Sequence, residues 1–261
     1  MSAANGHPAA AENDADDGYT PPPGVQVSSH PVLMHKLSLI RRKSTNSREF
    51  RSLFREISFY LGYEATQDLH TKVAHIHTHT AEFCEVRKIA DKVAVIPILR
   101  GGLGMTDAML ELLPNAPVYH IGMYRNPGSS MPIQYYNRLP KGQSCDVAIL
   151  LDPIIASAKT ICATVSIIKK WGAARVKVVT LIVSRTGLAQ LLAVHPDVIV
   201  HCAAVDTLAD NGHDLVPGIG DAGDRLYLGP DHVDDDELQS PGNKRQRSDA
   251  GAGGGGIGKQ F

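Results

Sequence analysis

The sequence predicts an α/β domain built on a mostly parallel sheet with helices on both faces. Short apolar runs recur along the chain, as is typical of strands that are buried on both sides in a parallel sheet. Segments with helical periodicity lie between most of these runs. Alternation of strands with helices indicates a parallel α/β sheet.

The chain length fits a single domain with a tail at each end, because 261 residues leave room for a core of roughly 200. Residues 1–29 are poor in large apolar side chains and include three consecutive prolines, so we expect a disordered tail there. The domain is expected over residues 30–228. An acidic run, a basic cluster and a glycine run predict a second disordered tail over residues 229–261.

The first long element is predicted to be a helix that starts after Asn46. Asn46 is a good N-cap, and Glu49 follows three residues later, as in a capping box. Helical spacing places a row of apolar side chains on one face, which we expect to cover the core: Phe50, Leu53, Phe54, Ile57 and Leu61.

Period-two alternation from Val73 predicts a hairpin strand at an edge, in the segment KVAHIHTHT. The alternation would place His75, His77 and His79 on one face. Three such histidines could bind a metal ion. A solvent-exposed polar face is the commoner explanation, and we favour it.

The buried strands are predicted at residues 93–99, 118–123, 147–151, 176–183 and 198–205, and helices at 105–113, 160–171 and 187–194. Ligands bind beyond the carboxyl ends of strands in sheets of this class. Four charged residues occupy such ends, and we expect chemistry there: Arg100, Arg125, Asp152 and Asp206.

The segment LLDPIIASAKT resembles a phosphate-binding turn between a strand and a helix. Asp152 ends the strand, and helical spacing begins at Ser157, where unpaired backbone N–H groups would face an anion. Ser157 and Thr160 add hydroxyl donors. A carboxylate beside an anion site suits a nucleotide or phosphoribosyl compound, although an ordinary strand-to-helix connection capped by an aspartate gives the same pattern.

Two further segments support a phosphorylated ligand. In PILRGGLGM, Arg100 is followed by glycines that allow the backbone to approach a pyrophosphate closely. In YHIGMYRNPGSSMPIQYYNRLP, Arg125 leads into a polar, Pro-containing hairpin that would lie over a site, although a solvated arginine at a loop is the alternative.

Composition limits the partners and the compartment. A formal net charge of −1 gives no general attraction to nucleic acid or to a membrane. The four cysteines lack close pairs, which favours a reducing compartment over a disulfide framework. No apolar run could span a bilayer, and no signal peptide is visible, so we expect a cytoplasmic protein. The KRQR cluster, from Lys244 to Arg247, resembles a weak nuclear-import signal, but we favour the interpretation that it belongs to a solvated tail.

The ordered set of motifs resembles the uracil phosphoribosyltransferase family over about residues 30–228. These motifs are HPVLMHKLSLIRRKSTNSREFR, YEATQDL, PILRGGLGM, IGMYRN, LLDPIIASAKT, HPDVIVHCAAVD and LVPGIGDAGDR. The last is the most specific, because a loop ending in GDAGD resembles that family's uracil pocket. The resemblance implies a phosphoribosyltransferase-like fold with a β-hairpin arm and a hood.

The resemblance also implies an activity, namely the formation of uridine monophosphate and pyrophosphate from uracil and phosphoribosyl pyrophosphate in pyrimidine salvage. Mg²⁺ would be carried by the phosphoribosyl pyrophosphate, with no direct side-chain ligand. The implied catalytic residues are Arg100, Asp152 and Asp221, and the implied uracil-binding residues are Leu215, Gly220, Asp221 and Ala222. The phosphoribosyl pyrophosphate site would comprise Arg100, Arg125, Asp152, Pro153, Ile154, Ile155, Ala156, Ser157, Ala158, Lys159, Thr160 and Asp221.

The chain departs from the family where two glycines are usual in the phosphate loop, since it has Ala158 and Lys159 there. The family usually has alanine in place of Gly101. Ala158 and Lys159 would strain the loop if it needs φ > 0, or Lys159 would add a charge for the phosphate. A weak pseudoenzyme is therefore one alternative. A nucleotide-binding regulator is a second, because the fold by itself does not fix the function. We expect a homo-oligomer, a dimer or a tetramer, and leave open activation by guanosine triphosphate, which some family members show.

Overall fold

The fold is an α/β sandwich with one large sheet and a small separate hairpin. A computed structural model describes residues 19–80, 82–125, 131–210 and 212–227. The strands are β1 (Val25–Val27), β2 (Thr71–Ile76), β3 (Cys84–Ile89), β4 (Val93–Leu99), β5 (Ile121–Arg125), β6 (Pro132–Asn137), β7 (Val147–Leu151), β8 (Ile154–Ile155), β9 (Arg175–Ser184), β10 (Ile199–Leu208) and β11 (Leu215–Val216). The helices are α1 (Pro31–Arg41), α2 (Ser47–Ala65), α3 (Thr106–Leu112), α4 (Lys159–Trp171), α5 (Arg185–Val194) and α6 (Ala222–Tyr227).

The large sheet is parallel through its centre and antiparallel at its margins. Its strands follow the order β1-β10-β9-β7-β4-β5-β6, with β8 paired to β9 and β11 paired to β10. Only the β5–β6 and β10–β11 pairs are antiparallel among the described pairs of this sheet. The carboxyl ends of β4, β7, β9 and β10 therefore meet at one edge.

Helices cover both faces of the sheet, because its strands are apolar on both sides. Alternate residues of β7 show this division: Val147 and Ile149 pack in a core with α1, α2, α3 and α6, whereas Ala148 and Leu150 pack in a second core with α4 and α5. All five residues of β7 are fully buried. The predicted fold class is confirmed.

The predicted helix after Asn46 is confirmed as α2. The side chain of Asn46 accepts a hydrogen bond of 2.9 Å from the backbone N–H of Glu49. Phe50, Phe54, Ile57 and Leu61 are fully buried, and Leu53 packs at the margin of the same core.

The predicted buried strands are also confirmed, with one shift. The run predicted at 118–123 is observed as β5, Ile121–Arg125, because Val118 makes only an isolated bridge to Val95. The polar segment beyond β5 returns as β6 and forms the predicted hairpin.

Strands β2 and β3 form the arm, a two-stranded antiparallel hairpin with no ladder to the large sheet. β2 ends at Ile76, so the prediction that His75, His77 and His79 share one strand face is wrong for the last two. The His75 ring stacks on Phe83, with 4.5 Å between ring centroids. Within the described residues, no group of three histidine, cysteine, aspartate or glutamate side chains is arranged to hold a metal ion.

The sheet begins earlier than the predicted domain boundary. β1 lies within the segment predicted as a tail, yet it pairs in parallel with β10, from Val25 opposite Val200 to Val27 opposite Cys202. The boundary at residue 29 is therefore corrected to a position before Val25. Residues 1–18 and the predicted tail over 229–261, including Lys244 and Arg247, lie outside the described residues. None of the described helices has both the length and the apolar character that a bilayer crossing requires.

Candidate active site

A cavity of about 460 Å³ opens at the carboxyl ends of β4 and β7. One wall is the turn after β4, and the opposite wall is the hood, defined here as β11 with its flanking segments, over the described residues 209–210 and 212–222. The cavity is lined by Arg100, Gly101, Asp152, Pro153, Ile154, Ile182, His213, Asp214, Leu215, Ile219, Gly220, Asp221, Ala222 and Gly223. It thus brings together Arg100, Asp152 and Asp221, the three residues that the resemblance implies are catalytic.

Arg100 is placed by a turn that runs directly from β4 into a short 3₁₀ helix, Gly101–Met105. Gly102 is buried in this turn, and a Cβ there would overlap the carbonyl oxygen of Leu151 at the end of β7. Glycine therefore lets the turn pack against β7 and brings Arg100 close to Asp152. The guanidinium of Arg100 also donates to the carboxylate of Asp224, with 3.1 Å between Nη2 and Oδ1.

The predicted phosphate loop follows β7 and ends at the first turn of α4. β8 lies within the loop and pairs with β9, which fixes Ile154 and Ile155 beside the large sheet. A second cavity of about 130 Å³ extends from the main one toward α4, and its lining includes Asp152, Ala158 and Thr160. The loop thus connects a carboxylate to the amino end of a 13-residue helix, which suits a sugar phosphate.

Ala158 carries the backbone strain that the sequence predicted for this loop. It precedes α4 with φ 55° and ψ 2°, and it is the one non-glycine residue with positive φ in the described part of the chain. Lys159 is already helical and exposed, so it is not strained. The prediction is therefore confirmed for Ala158 and wrong for Lys159.

We expect Ala158→Gly and Lys159→Gly to have opposite effects. Glycine at position 158 relieves a left-handed conformation that costs an alanine about 1 kcal/mol, although it loses a buried methyl group. Glycine at position 159 weakens the first turn of α4 and removes an ammonium beside the phosphate loop. Urea unfolding measures the change in stability, and the KM for the substrate that the resemblance implies, phosphoribosyl pyrophosphate, measures the change in phosphate binding. A lower KM in Lys159→Gly would contradict a phosphate contact by Lys159.

The hood supplies the predicted uracil-binding residues. Leu215 lies in β11, and Gly220, Asp221 and Ala222 form the junction with α6. The Asp221 carboxylate accepts a hydrogen bond of 2.8 Å from the backbone N–H of Asp224, so it caps α6 while it lines the cavity. Gly220 has φ +72°, a conformation that few other residues adopt.

The prediction that Asp206 lies at the end of a strand is wrong. Asp206 lies within β10, not beyond its end, and it is 5% exposed. Its carboxylate pairs with Arg41 and does not line the cavity. Arg125 is the last residue of β5, as predicted, but its side chain lies outside the described part of the structure.

Four functional candidates were absent from the sequence prediction. His213 and Asp214 line the cavity from the hood, and Asp224 pairs with Arg100. Arg41 approaches the hood from α1. Asp224 belongs to the quoted GDAGDR motif and could have been found there, whereas Arg41 is 165 residues from its partner Asp206, and no local pattern indicates that pair.

The cysteines do not supply a nucleophile. All four are free thiols and none lines the cavity. Burial raises the pKa of the Cys145 thiol to about 11, with a contribution from Asp146. Burial likewise raises the pKa of Cys202 to about 12, with a contribution from Asp206. Neutral thiols such as these two are poor nucleophiles, and the titratable side chains that line the cavity are instead Arg100, Asp152, His213, Asp214 and Asp221.

Comparison with known proteins identifies the family. The model of the family described as "Uracil phosphoribosyltransferase" matches residues 27–229. The chain belongs to the uracil phosphoribosyltransferase family. It is 45% identical over 204 residues to the uracil phosphoribosyltransferase of Roseiflexus sp. (strain RS-1), which covers 78% of this chain and 97% of that relative. It is 43% identical over 203 residues to the uracil phosphoribosyltransferase of Alkaliphilus oremlandii (strain OhILAs), with coverage of 78% and 97%.

A solved structure shares the fold of this uracil phosphoribosyltransferase family member. The AQ2163 protein from Aquifex aeolicus superposes with a TM-score of 0.73 at 29% identity, over 78% of this chain and 97% of that protein. The family match, over residues 27–229, spans all the elements that build the cavity, from β4 to α6. The resemblance stated from the motifs is confirmed.

Proposed function

We propose that the protein is a pyrimidine salvage enzyme that converts uracil and phosphoribosyl pyrophosphate into uridine monophosphate and pyrophosphate. The observation that carries the proposal is the cavity itself. Arg100 and Asp152 on one wall face the hood loop on the other, in a chain of the uracil phosphoribosyltransferase family. The two walls suit a charged sugar phosphate and a planar base.

The walls divide the binding of the substrates between them. Arg100, Arg125 and the loop from Asp152 to Thr160 bind phosphoribosyl pyrophosphate in this proposal, with the 5′-phosphate at the amino end of α4. Leu215, Gly220 and Ala222 border the uracil ring. Asp221 lies where the two substrates meet, since it lines the same cavity as Arg100 and Asp152.

The chemistry requires charge stabilisation more than proton transfer. As pyrophosphate leaves, negative charge grows on it and positive charge grows on the ribose. Arg100 stabilises the leaving group, while the Asp152 carboxylate accepts ribose hydroxyls and favours the cationic sugar. Uracil N1 bonds to the anomeric carbon as the bond from that carbon to the pyrophosphate oxygen breaks, and the N1 proton passes to solvent.

The carboxylates of the cavity fit a Mg²⁺ ion that arrives with phosphoribosyl pyrophosphate. Carboxylate oxygens are ligands that Mg²⁺ prefers, and the ion usually keeps several waters and phosphate ligands. Asp152 and Asp221 lie on the walls and would hold the hydration shell of the ion. The ion would supply positive charge to the departing pyrophosphate.

The decisive experiment measures uridine monophosphate formation from uracil, phosphoribosyl pyrophosphate and Mg²⁺ by the purified protein. Cytosine is the control substrate, because its exocyclic amine is a hydrogen-bond donor where uracil has an acceptor. A buried polar group left without its partner costs about 1–3 kcal/mol of binding free energy. We expect turnover with uracil and at least about tenfold lower kcat/KM with cytosine. No product from uracil would favour the pseudoenzyme, and similar use of both bases would contradict the assignment of the hood.

Arg100→Ala is expected to lower kcat/KM for phosphoribosyl pyrophosphate by about 30-fold, because it removes a charge-assisted contact worth about 2 kcal/mol. The matched control is Asp224→Asn, which weakens the same ion pair but keeps Arg100. We expect the control to change kcat/KM by less than about threefold, since a half-exposed ion pair contributes little. Equal losses in the two variants would refute the role of Arg100.

A nucleotide-binding regulator is less well supported than an enzyme. The described site combines the sugar-phosphate wall and the base wall, and the family is defined by its transferase activity. We further propose a cytoplasmic homo-oligomer, either a dimer or a tetramer, which sedimentation would measure. Activation by guanosine triphosphate is a finer proposal, and addition of the nucleotide to the same assay tests it.

A further inference from the structure

A buried ion pair lies behind the hood, outside the cavity. Asp206 in β10 is 5% exposed, and Arg41 ends α1. The two side chains meet fork to fork, with 2.7 Å from Nη1 to Oδ2 and 2.8 Å from Nη2 to Oδ1. Two parallel bonds fix the orientation of both groups, which a lysine in place of Arg41 could not reproduce.

The same pair binds both polar groups of one hood residue. The Gly218 N–H donates to Asp206 Oδ2 over 2.9 Å, and the Gly218 carbonyl accepts from Arg41 Nη1 over 2.8 Å. Gly218 has φ +61°, and a Cβ there would overlap the carbonyl oxygen of Leu215. The pair therefore holds the hood in a turn that only glycine can form.

A second arginine holds the next residue of the hood. Arg225 in α6 donates from Nη1 to the Ile219 carbonyl over 2.7 Å and to the Ile40 carbonyl over 2.9 Å. Its Nη2 donates to the carbonyls of Arg42 and Thr45, each over 3.2 Å. The guanidinium also lies 4.1 Å from the centre of the Phe50 ring. Arg225 thus links the hood to the loop between α1 and α2.

These contacts determine which part of the hood faces the cavity. The carbonyls of Gly218 and Ile219 are bound to the two arginines, while the chain from Ile219 to Ala222 lines the cavity. Arg41, Asp206 and Arg225 do not line it. We infer that Arg41, Asp206 and Arg225 are positioning residues that fix the hood in its base-binding conformation, and so set the affinity for uracil without touching either substrate.

The inference rests on the proposed function and predicts a selective effect. A loop with glycines at 218 and 220 loses conformational freedom when it binds a base, and fixing it beforehand lowers that cost. The residues that bind phosphoribosyl pyrophosphate in this proposal are instead positioned by β4, β7 and α4. Loosening the hood should therefore weaken uracil binding and leave phosphoribosyl pyrophosphate binding almost unchanged.

Steady-state kinetics of Arg41→Lys, Asp206→Asn and Arg225→Lys test the inference. We expect each variant to raise the KM for uracil by about tenfold or more, as the loss of a charge-assisted contact implies, and to change the KM for phosphoribosyl pyrophosphate by less than about twofold. The matched control is Arg175→Lys, which alters an arginine–aspartate pair of 2.7 Å to Asp91 at the opposite end of the sheet. This control should lower the melting temperature similarly without a change in either KM.

The outcomes separate the inference from the function on which it rests. A wild-type protein that neither binds uracil in calorimetry nor forms uridine monophosphate overturns the proposed function, and the inference with it. An active wild type whose variants keep the uracil KM, or raise both KM values together, overturns the inference alone. If Asp206→Asn does not fold, the two arginine variants decide the result.

Discussion

Gly102→Ala should destabilise the protein by about 3 kcal/mol and remove most of its activity. The added Cβ would press against backbone atoms, and overpacking of that kind has a free-energy cost at the upper end of the range for core substitutions. A Cβ at this position would overlap the Leu151 carbonyl oxygen and lie 3.1 Å from its carbonyl carbon. Neither strand can yield easily, because β4 and β7 are paired and buried on both faces. The turn must move, and with it Arg100. Urea unfolding and the rate of uridine monophosphate formation measure the two effects.

Gly101→Ala is the matched control, one residue earlier in the same turn. A Cβ there would meet only the ring of Pro153, at 2.8 Å from Cγ and 3.2 Å from Cδ. A ring can shift more readily than a strand, and the family usually has alanine at this position. We expect a loss of no more than about 1 kcal/mol and retained activity. Equal losses of stability and activity in the two variants would contradict the view that position 102 needs glycine for its close approach to β7.

His201 should make stability depend on pH between about 6.5 and 4, with a total change of about 3 kcal/mol. The ring is 2% exposed, and neither nitrogen has a hydrogen-bond partner among the described residues. Burial, together with the positive charge of Lys177, lowers the pKa of His201 to about 4, while Asp68 acts in the opposite direction. Below pH 6.5 the unfolded chain binds a proton that the folded chain does not, so stability falls as the pH falls.

The test is urea unfolding at several pH values between 7 and 4.5, followed by the fluorescence of Trp171, the single tryptophan of the chain. His201→Leu should show a shallower pH dependence and should be more stable at pH 7, because it removes two buried unsatisfied nitrogens worth roughly 1 kcal/mol or more. The exposed His35 provides the control variant His35→Gln, in which the pH dependence should remain. An unchanged pH dependence in His201→Leu would contradict this origin.

Local sequence patterns sufficed for the central strands and for one wall of the site. Strands β4 and β7 are continuous apolar runs, so a single segment of sequence reveals them, and Arg100 and Asp152 follow from their positions at strand ends. Strand β1 has only three residues and follows a proline-rich segment, so its pairing depends on a partner 175 positions away, in β10. Its existence could not be predicted locally.

The hood shows more clearly how far local sequence patterns can predict a site. The motif LVPGIGDAGDR indicated where a base would bind, and the resemblance to the family assigned the residues. The sequence also marked Asp206 as a strand-end carboxylate for chemistry, whereas the structure pairs it with Arg41 behind the hood. A carboxylate at a strand end has the same local pattern whether it faces the ligand or a distant arginine. Only the tertiary fold distinguishes the two.

The two walls of the cavity differ in their place along the chain. The residues proposed to bind the sugar phosphate lie between positions 100 and 160, and the hood residues that line the cavity start at position 213. During synthesis the ribosome therefore completes the phosphate side, then α4, β9, α5 and β10, before it adds the residues proposed to contact the base. In the proposed function, selectivity for the base is therefore the last property of the site to be built, and its segment is tied to the finished sheet by the β10–β11 pair and by Asp206.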